Sequence, residues 1–216
     1  MACLSQLRRP TGAAAATGAT PSLRVAILVG ELADRCRDYL VQIKHELSEA
    51  GHILFFTPWF MPELGMDVRS IAGRLKRTEA DAWIAVSAAR PLLEWFVAQE
   101  VWVFALCGRR RGLPVAGAGP DKPPAIGRAT RRLIAVSAEP GLRVPEDVSL
   151  ICADGDPHFA WCRPSVAHIH SDIVPVVRRA VRWTANLARG KPDVGQTMTK
   201  SEFIEGGTIG PPPFLH

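Results

Sequence analysis

Short apolar segments alternate with amphipathic segments along the first half of the chain. Four runs rich in apolar and β-branched residues predict buried strands, at 25–29, 52–57, 81–86 and 101–106. The segments between them carry apolar residues at the helical period and predict helices at 34–50, 67–75 and 91–98. This βαβαβαβ order with short connections predicts an α/β fold, in which a parallel sheet is flanked by helices on both faces.

The second half continues with a less regular pattern. It predicts a weak strand at 114–119, a helix near 124–134, a strand at 148–153, a crossover at 166–169, a helix at 174–189 and a last strand at 197–204. The strand at 148–153 ends abruptly at Asp154, Gly155, Asp156 and Pro157. Open α/β sheets bind ligands at the carboxyl ends of their strands, so Asp154 is placed to accept hydrogen bonds from a polar ligand.

Composition narrows the class of protein. The chain of 216 residues is 47% hydrophobic, enough for a packed core, and carries a net charge of +5. Its arginines are spread over several segments, which favours a solvated basic surface over a DNA-binding face. The five cysteines form no CxxC pair, so we expect neither disulfides nor zinc. No secretory signal and no run of roughly 20 apolar residues is present, so we expect a cytoplasmic protein without a membrane segment.

Two clusters leave alternatives open. The aromatic segment at 58–62 is either packed beneath a neighbouring helix, the commoner outcome, or exposed as a ligand or dimer surface. The segment 109–111 holds three consecutive arginines after the fourth strand. A solvated turn is favoured there over an anion site.

The segment 142–164, LRVPEDVSLICADGDPHFAWCRP, resembles the effector-binding domain of the lac-repressor/galactose-repressor (LacI/GalR) family of transcriptional regulators. In that family RVPEDVS precedes a strand with an acidic end; here the first acid is Asp154 and the second is replaced by Gly155. The segment 163–169 resembles the family's RPPLTTI crossover, and 206–213 resembles its RGSTAPPP ending. The resemblance implies a periplasmic-binding-protein-like type I fold, with two similar lobes and an effector between them.

The chain departs from the family before RVPEDVS. Only 136–141 stand where the family has a further strand and more βα units, so we expect a first lobe that is nearly complete and a truncated second lobe. The expected divisions are a linker-like 1–23, a first lobe of 24–120 with 171–195, and a second lobe of 121–170 with 196–216. The missing part includes the family's arginine that clamps the effector and its stacking aromatic, so neither is assigned here.

The predicted ligand-binding residues are Asp154, Ser171, Trp161 and Phe159. Ser171 falls where family members have a polar ligand contact, although it or Asp172 also suits the cap of the next helix. The two aromatics are suited to stacking on a sugar ring or, equally, to filling space left by missing structure. The histidines at 158, 168 and 170 favour surface or crossover positions over a metal site, so we expect no metal, no cofactor and no catalytic residue.

The predicted function is that of an effector-binding sensor domain in a bacterial LacI-type regulator, which binds a sugar or similar metabolite, dimerises and controls transcription. The resemblance implies contact with DNA only through a helix-turn-helix head, which we expect to be absent from this chain. The alternatives are a stand-alone sugar-binding protein of transport or chemotaxis, a degenerate remnant that binds nothing, and a hydrolase or transferase. No G-x-S-x-G motif supports the last.

Overall fold

A computed structural model describes residues 21–30, 32–65, 67–107, 110–121, 143–152 and 154–210. The chain divides into two compact units. The first contains the residues up to Gly119 together with Ile173–Met198, and the second contains Pro120–Asp172 and the residues from Thr199 onward. None of the helices in the described ranges is long and apolar enough to cross a lipid bilayer.

The first unit is built on a parallel sheet. It contains β1 (Arg24–Leu28), β2 (Ile53–Phe56), β3 (Ala82–Val86), β4 (Val103–Leu106) and the greater part of β5 (Ala116–Asp121). They are arranged in the order β2-β1-β3-β4-β5, and each neighbouring pair is parallel. The central strands β3 and β4 are buried along their whole length, as expected for a sheet covered on both faces. The predicted α/β architecture is confirmed.

Helices cover both faces of this sheet. They are α1 (Asp38–Glu49), α2 (Val68–Leu75), α3 (Arg90–Ala98) and α4 (Val174–Ala188). Because successive strand residues point to opposite faces, Ile84 packs with α1 and α4, whereas Trp83 packs with α2 and α3. Phe104 meets Trp183 of α4 at 5.3 Å between ring centroids on the first face. The unit therefore has two separate cores, one on each side of the sheet.

The helix predicted at 34–50 is interrupted. A 3₁₀ helix spans Leu32–Cys36, and α1 begins only after Arg37, whose backbone is extended. The Asp34 carboxylate accepts a hydrogen bond from the Gly30 N–H at 3.1 Å, and the Asp34 carbonyl accepts one from the Arg37 N–H at 3.2 Å. These local bonds close a tight turn ahead of α1, which the helical period does not reveal.

The aromatic segment at 58–62 contacts both cores: Phe60 is partly buried against the core on the α1 and α4 side, and its neighbours pack on the α2 and α3 side. Trp59 and Met61 are both buried there. Thr57 supports the turn, because its buried hydroxyl donates to the Trp59 carbonyl at 2.8 Å. Packing, which the sequence favoured, therefore explains this segment.

A buried ion pair fixes the chain after α4. Arg179, 2% exposed, donates from Nη1 to Asp193 at 3.0 Å and from Nε to the Gly195 carbonyl at 3.1 Å. Burial alone would raise the pKa of Asp193, but hydrogen bonds from Arg179, Asn186 and the Gly195 N–H outweigh it and lower that pKa. The Gly117 N–H in turn donates to the Gly195 carbonyl at 3.1 Å, so this segment is held against β5.

The second unit has a small sheet of β6 (Ile151–Cys152), β7 (Ala167–Ser171) and the greater part of β8 (Gln196–Ile204). β6 is parallel to β7, and β7 is antiparallel to β8. The strand predicted at 148–153 is shorter than expected in the described residues. Leu150 instead pairs with Thr208, whose carbonyl accepts from the Leu150 N–H and whose hydroxyl donates to the Leu150 carbonyl, each at 2.8 Å.

Asp193→Ala is predicted to lower the free energy of unfolding by about 3 kcal/mol at neutral pH, because it leaves the buried Arg179 guanidinium without its carboxylate. The folded-state pKa of Asp193 is depressed, so its stabilisation is present above its unfolded-state pKa and is lost as the pH falls through the folded value. Urea denaturation at neutral and acid pH tests both points. Glu79→Ala, at an exposed surface pair, is the control and should change little; equal losses in the two variants would contradict the prediction.

Gly73→Ala is predicted to raise the free energy of unfolding by about 0.5–1 kcal/mol, because glycine destabilises a helix interior by that amount relative to alanine. Gly73 lies on the exposed face of α2, and an added Cβ would have no atom within 4 Å. Urea denaturation followed by circular dichroism measures the change. A less stable variant would show that Gly73 is needed for packing.

Candidate functional site

The predicted ligand residues lie in the second unit, and two of them mark the carboxyl ends of its parallel strands. Asp154 follows β6 by two residues and is partly buried, and Ser171 is the last residue of β7. Because Cys152 pairs with His168, the chain leaving β6 runs beside β7. A Cβ on Gly155 would lie 3.3 Å from the His168 ring and 3.6 Å from Nδ1 of His170. Asp154 and Ser171 therefore share one edge of the sheet.

Ser171 is paired with a second hydroxyl. Its Oγ lies 2.9 Å from Oγ of Ser201, the residue opposite it on β8. The N-cap position of α4 is occupied by Ile173, which makes no side-chain cap hydrogen bond. Each hydroxyl keeps acceptor capacity after bonding to the other, so the pair can still bind a polar ligand. Ser201 was missed from the sequence, because only the antiparallel register of β7 and β8 brings it to Ser171.

The two aromatic residues have different environments. Phe159 lies in a 3₁₀ helix, Pro157–Ala160, and is partly buried with its ring 5.3 Å from that of His168. Trp161 follows this helix and is 74% exposed, with only an edge contact to His158 at 5.1 Å among the described ring contacts. Phe159 thus secures the loop against β7, whereas Trp161 presents an open ring face. Trp161 does not fill a gap in the described structure.

Asp156 and His158 are hydrogen-bonded to each other within the loop that follows β6. The Asp156 carboxylate accepts from the His158 N–H at 2.8 Å and lies 2.7 Å from Nδ1 of the same residue. The backbone hydrogen bond is the main cause of a lowered pKa at Asp156, and the side-chain bond adds to it. Within the described ranges no group of three His, Cys, Asp or Glu side chains could hold a metal. This pair caps the 3₁₀ helix.

Sequence reasoning also missed a feature at the carboxyl edge of the first unit. Ser87 follows β3 and Cys107 follows β4, and both have positive φ angles, 53° and 57°. They are neighbours, because Val86 pairs with Leu106 directly before them. Non-glycine residues in this region cost about 1–3 kcal/mol each and concentrate at functional sites. Backbone strain of this kind leaves no periodicity in the sequence.

The arginine cluster after β4 is partly buried. Arg110 is 4% exposed and donates from Nη2 to the Thr197 carbonyl at 3.2 Å, whereas Arg111 is exposed. Desolvation lowers the pKa of Arg110. The expected solvated turn is therefore wrong for Arg110, and Arg109 lies outside the described residues. Gly117 makes the burial possible, since a Cβ there would lie 2.5 Å from Cδ of Arg110.

Comparison with known proteins gives a consistent fold. Residues 120–209 match the family model described as a periplasmic binding protein-like domain. A LacI-family regulator from Enterococcus faecalis with bound ribose aligns over 87% of this chain and 99% of its own, at 12% identity and a TM-score of 0.63. The chain has a periplasmic-binding-protein-like fold. No curated protein matches it.

Two further structures share this fold. The transcriptional regulator CelR in complex with cellobiose aligns at 14% identity over 86% of this chain and 84% of its own, with a TM-score of 0.58. The lac repressor dimer bound to operator and the anti-inducer ONPF aligns at 12% identity over 88% and 94%, with a TM-score of 0.56. At these low identities the likeness shows the fold of the chain.

Gly117→Ala is predicted to destabilise the first unit by about 1–3 kcal/mol, the usual cost of overpacking. Besides Arg110, the added Cβ would meet the Ala105 carbonyl oxygen at 2.5 Å, and that backbone atom cannot move without disturbing β4. Comparing urea midpoints with Gly73→Ala, the same substitution in open space, tests this. A Gly117→Ala protein as stable as the wild type would show that the close approach is not required.

Proposed function

We propose that this chain is the effector-binding domain of a bacterial LacI-type transcriptional regulator and that its effector is a sugar or a similar small polar metabolite. The observation that carries the proposal is the periplasmic-binding-protein-like fold, shared with regulators crystallised with cellobiose and with ribose. The polar carboxyl edge formed by Asp154 and Ser171 supports it, because this edge of an α/β sheet is where ligands bind.

The residues at this edge have the chemistry that a sugar needs. The Asp154 carboxylate accepts hydrogen bonds from two adjacent hydroxyls, and such charge-assisted bonds are about twice as strong as neutral ones. The paired hydroxyls of Ser171 and Ser201 add donors and acceptors beside it. Trp161 offers an exposed ring face for stacking on the apolar face of a pyranose. Phe159 acts indirectly, by holding the loop that carries Trp161 against His168.

The regulatory setting follows from the same proposal. The domain acts in the cytoplasm as a homodimer, without a cofactor or catalytic step. The effector changes the balance between two conformations, and that change is transmitted to DNA binding. Such a coupling requires the effector to bind one conformation more tightly than the other.

Thermal-shift screening of monosaccharides, disaccharides, sugar acids and nucleosides tests this function. A ligand that binds only the folded state raises the melting temperature, so at least one sugar should do so. Asp154→Asn is predicted to weaken its binding by at least about tenfold, because a hydrogen bond to a charged group contributes roughly 1.5–3 kcal/mol. The melting temperature without ligand should change little.

Glu205→Gln is the matched control, because it removes the same charge from an exposed position of the same unit. It should retain the full shift. If no compound in the panel raises the melting temperature, the proposed function is wrong. If a sugar binds the wild type and Asp154→Asn equally well, the function stands and Asp154 is not the contact.

A further inference from the structure

The solvent face of α2 concentrates positive charge. Residues 68–78 contain four cationic side chains and no acidic one, and all four cations are exposed: Arg69, Arg74, Lys76 and Arg77. None of them takes part in an ion pair within the part of the chain that the structure describes. We call these four residues the basic α2 surface. Two carboxylates flank the segment: Asp67 interacts electrostatically with Arg69, and Glu79 is paired with Arg24. The charge of this surface is therefore balanced only in part.

Core packing and an N-terminal cap hold the helix that carries these cations in place. Ile71 and Leu75 are buried in the core and anchor α2 against the sheet, and the Asp67 carboxylate accepts from the Ser70 N–H at 2.8 Å at its N-terminus. Arg69 and Lys76 lie on the same flank of the helix, about 100° around its axis from the centre of the buried face. They are about 10 Å apart along the helix axis, at 1.5 Å per residue.

Gly73 lies in the middle of this surface. Its Cβ position is open, so the core does not require a glycine there. A helix interior normally disfavours glycine, and this one exposes bare backbone between Arg69 and Lys76. The gap permits a partner to approach the helix more closely than any side chain would allow.

The charge of α3 is balanced within that helix. On α3, Arg90 Nε is paired with Glu94 at 2.8 Å. On the opposite side of the sheet, α4 exposes Arg178 and Arg182, and the exposed Arg189 directly follows it. The helix α1 packs beside α4 and carries acidic residues. The basic α2 surface is thus a local excess rather than a consequence of the net charge alone.

We infer that the basic α2 surface binds the phosphate backbone of duplex DNA without reading its sequence. DNA carries one charge per about 1.7 Å of its axis, so about six phosphates lie within the span from Arg69 to Lys76. A membrane surface fits less well, because an interfacial helix inserts apolar side chains, whereas Ile71, Ala72 and Leu75 of α2 are buried. This contact goes beyond the proposed effector binding and differs from the expectation that DNA is reached only through a separate head.

Fluorescence anisotropy of a labelled duplex of arbitrary sequence, titrated with the full chain at several salt concentrations, tests this inference. The wild type should bind at low salt, with an affinity that falls steeply as salt rises. The triple variant Arg69→Gln, Lys76→Gln and Arg77→Gln should bind at least roughly tenfold more weakly and lose up to about 2.7 from the log–log salt slope, about 0.9 per phosphate contact. Arg77→Gln alone, which lies beyond the end of α2, should lose about 0.9.

The control is the triple variant Arg178→Gln, Arg182→Gln and Arg189→Gln, which removes the same charge from α4 and the residue that follows it. It should retain most of the affinity and slope. Equal losses in the two triple variants, no binding by the wild type at low salt, or binding to phosphatidylserine vesicles in place of DNA would each overturn the inference. Circular dichroism verifies folding, and the single Arg77→Gln variant decides the case if the α2 triple variant does not fold. The sugar-induced thermal shift should be the same in all variants, so failure here is distinct from failure of the proposed function.

Discussion

Parallel strand pairing is the constraint on which the rest of this structure depends. Two parallel neighbours cannot be joined by a tight turn, so the chain must return between strands, usually through a helix packed on the sheet. In the first unit this rule produces a sheet with helices on both faces and two cores. In both units it also places the residues that follow parallel strands on a common edge. Asp154 and Ser171 lie on the same edge for that reason, as do Ser87 and Cys107.

The regular helices and strands could be predicted because the spacing of apolar residues along the sequence indicates which side chains are buried. The first strand, predicted at 25–29, lies at Arg24–Leu28, and the helix predicted at 91–98 lies at Arg90–Ala98. Predictions failed where particular hydrogen bonds, one set local and one between distant residues, override periodicity. The bonds around Asp34 break the helix predicted at 34–50, and the bonds of Leu150 to Thr208 shorten β6 in the described residues. The helix predicted near 124–134 lies outside the described residues.

The sequence could indicate individual residues of the candidate site, but it could not indicate which of them lie next to one another in the fold. The strand-to-loop change singles out Asp154, but nothing in the sequence specifies that Ser201 lies opposite Ser171, because cross-strand register is decided by the whole sheet. The surroundings of charged residues could not be predicted from the sequence either. Arginines that are spread along the sequence have quite different surroundings in the fold. Arg179 is in a buried ion pair, Arg110 is buried and hydrogen-bonded to the Thr197 carbonyl, and Arg69 is exposed on a helix.

The central claim is that the effector binds at the carboxyl edge of β6 and β7. The most direct test is a crystal structure of the chain in complex with the sugar that raises its melting temperature most. The claim predicts sugar density at the carboxyl edge of β6 and β7, with two adjacent hydroxyls within hydrogen-bonding distance of the Asp154 carboxylate and a ring face over Trp161. Density for the sugar at any other place, with Asp154 making no contact to it, would contradict the account.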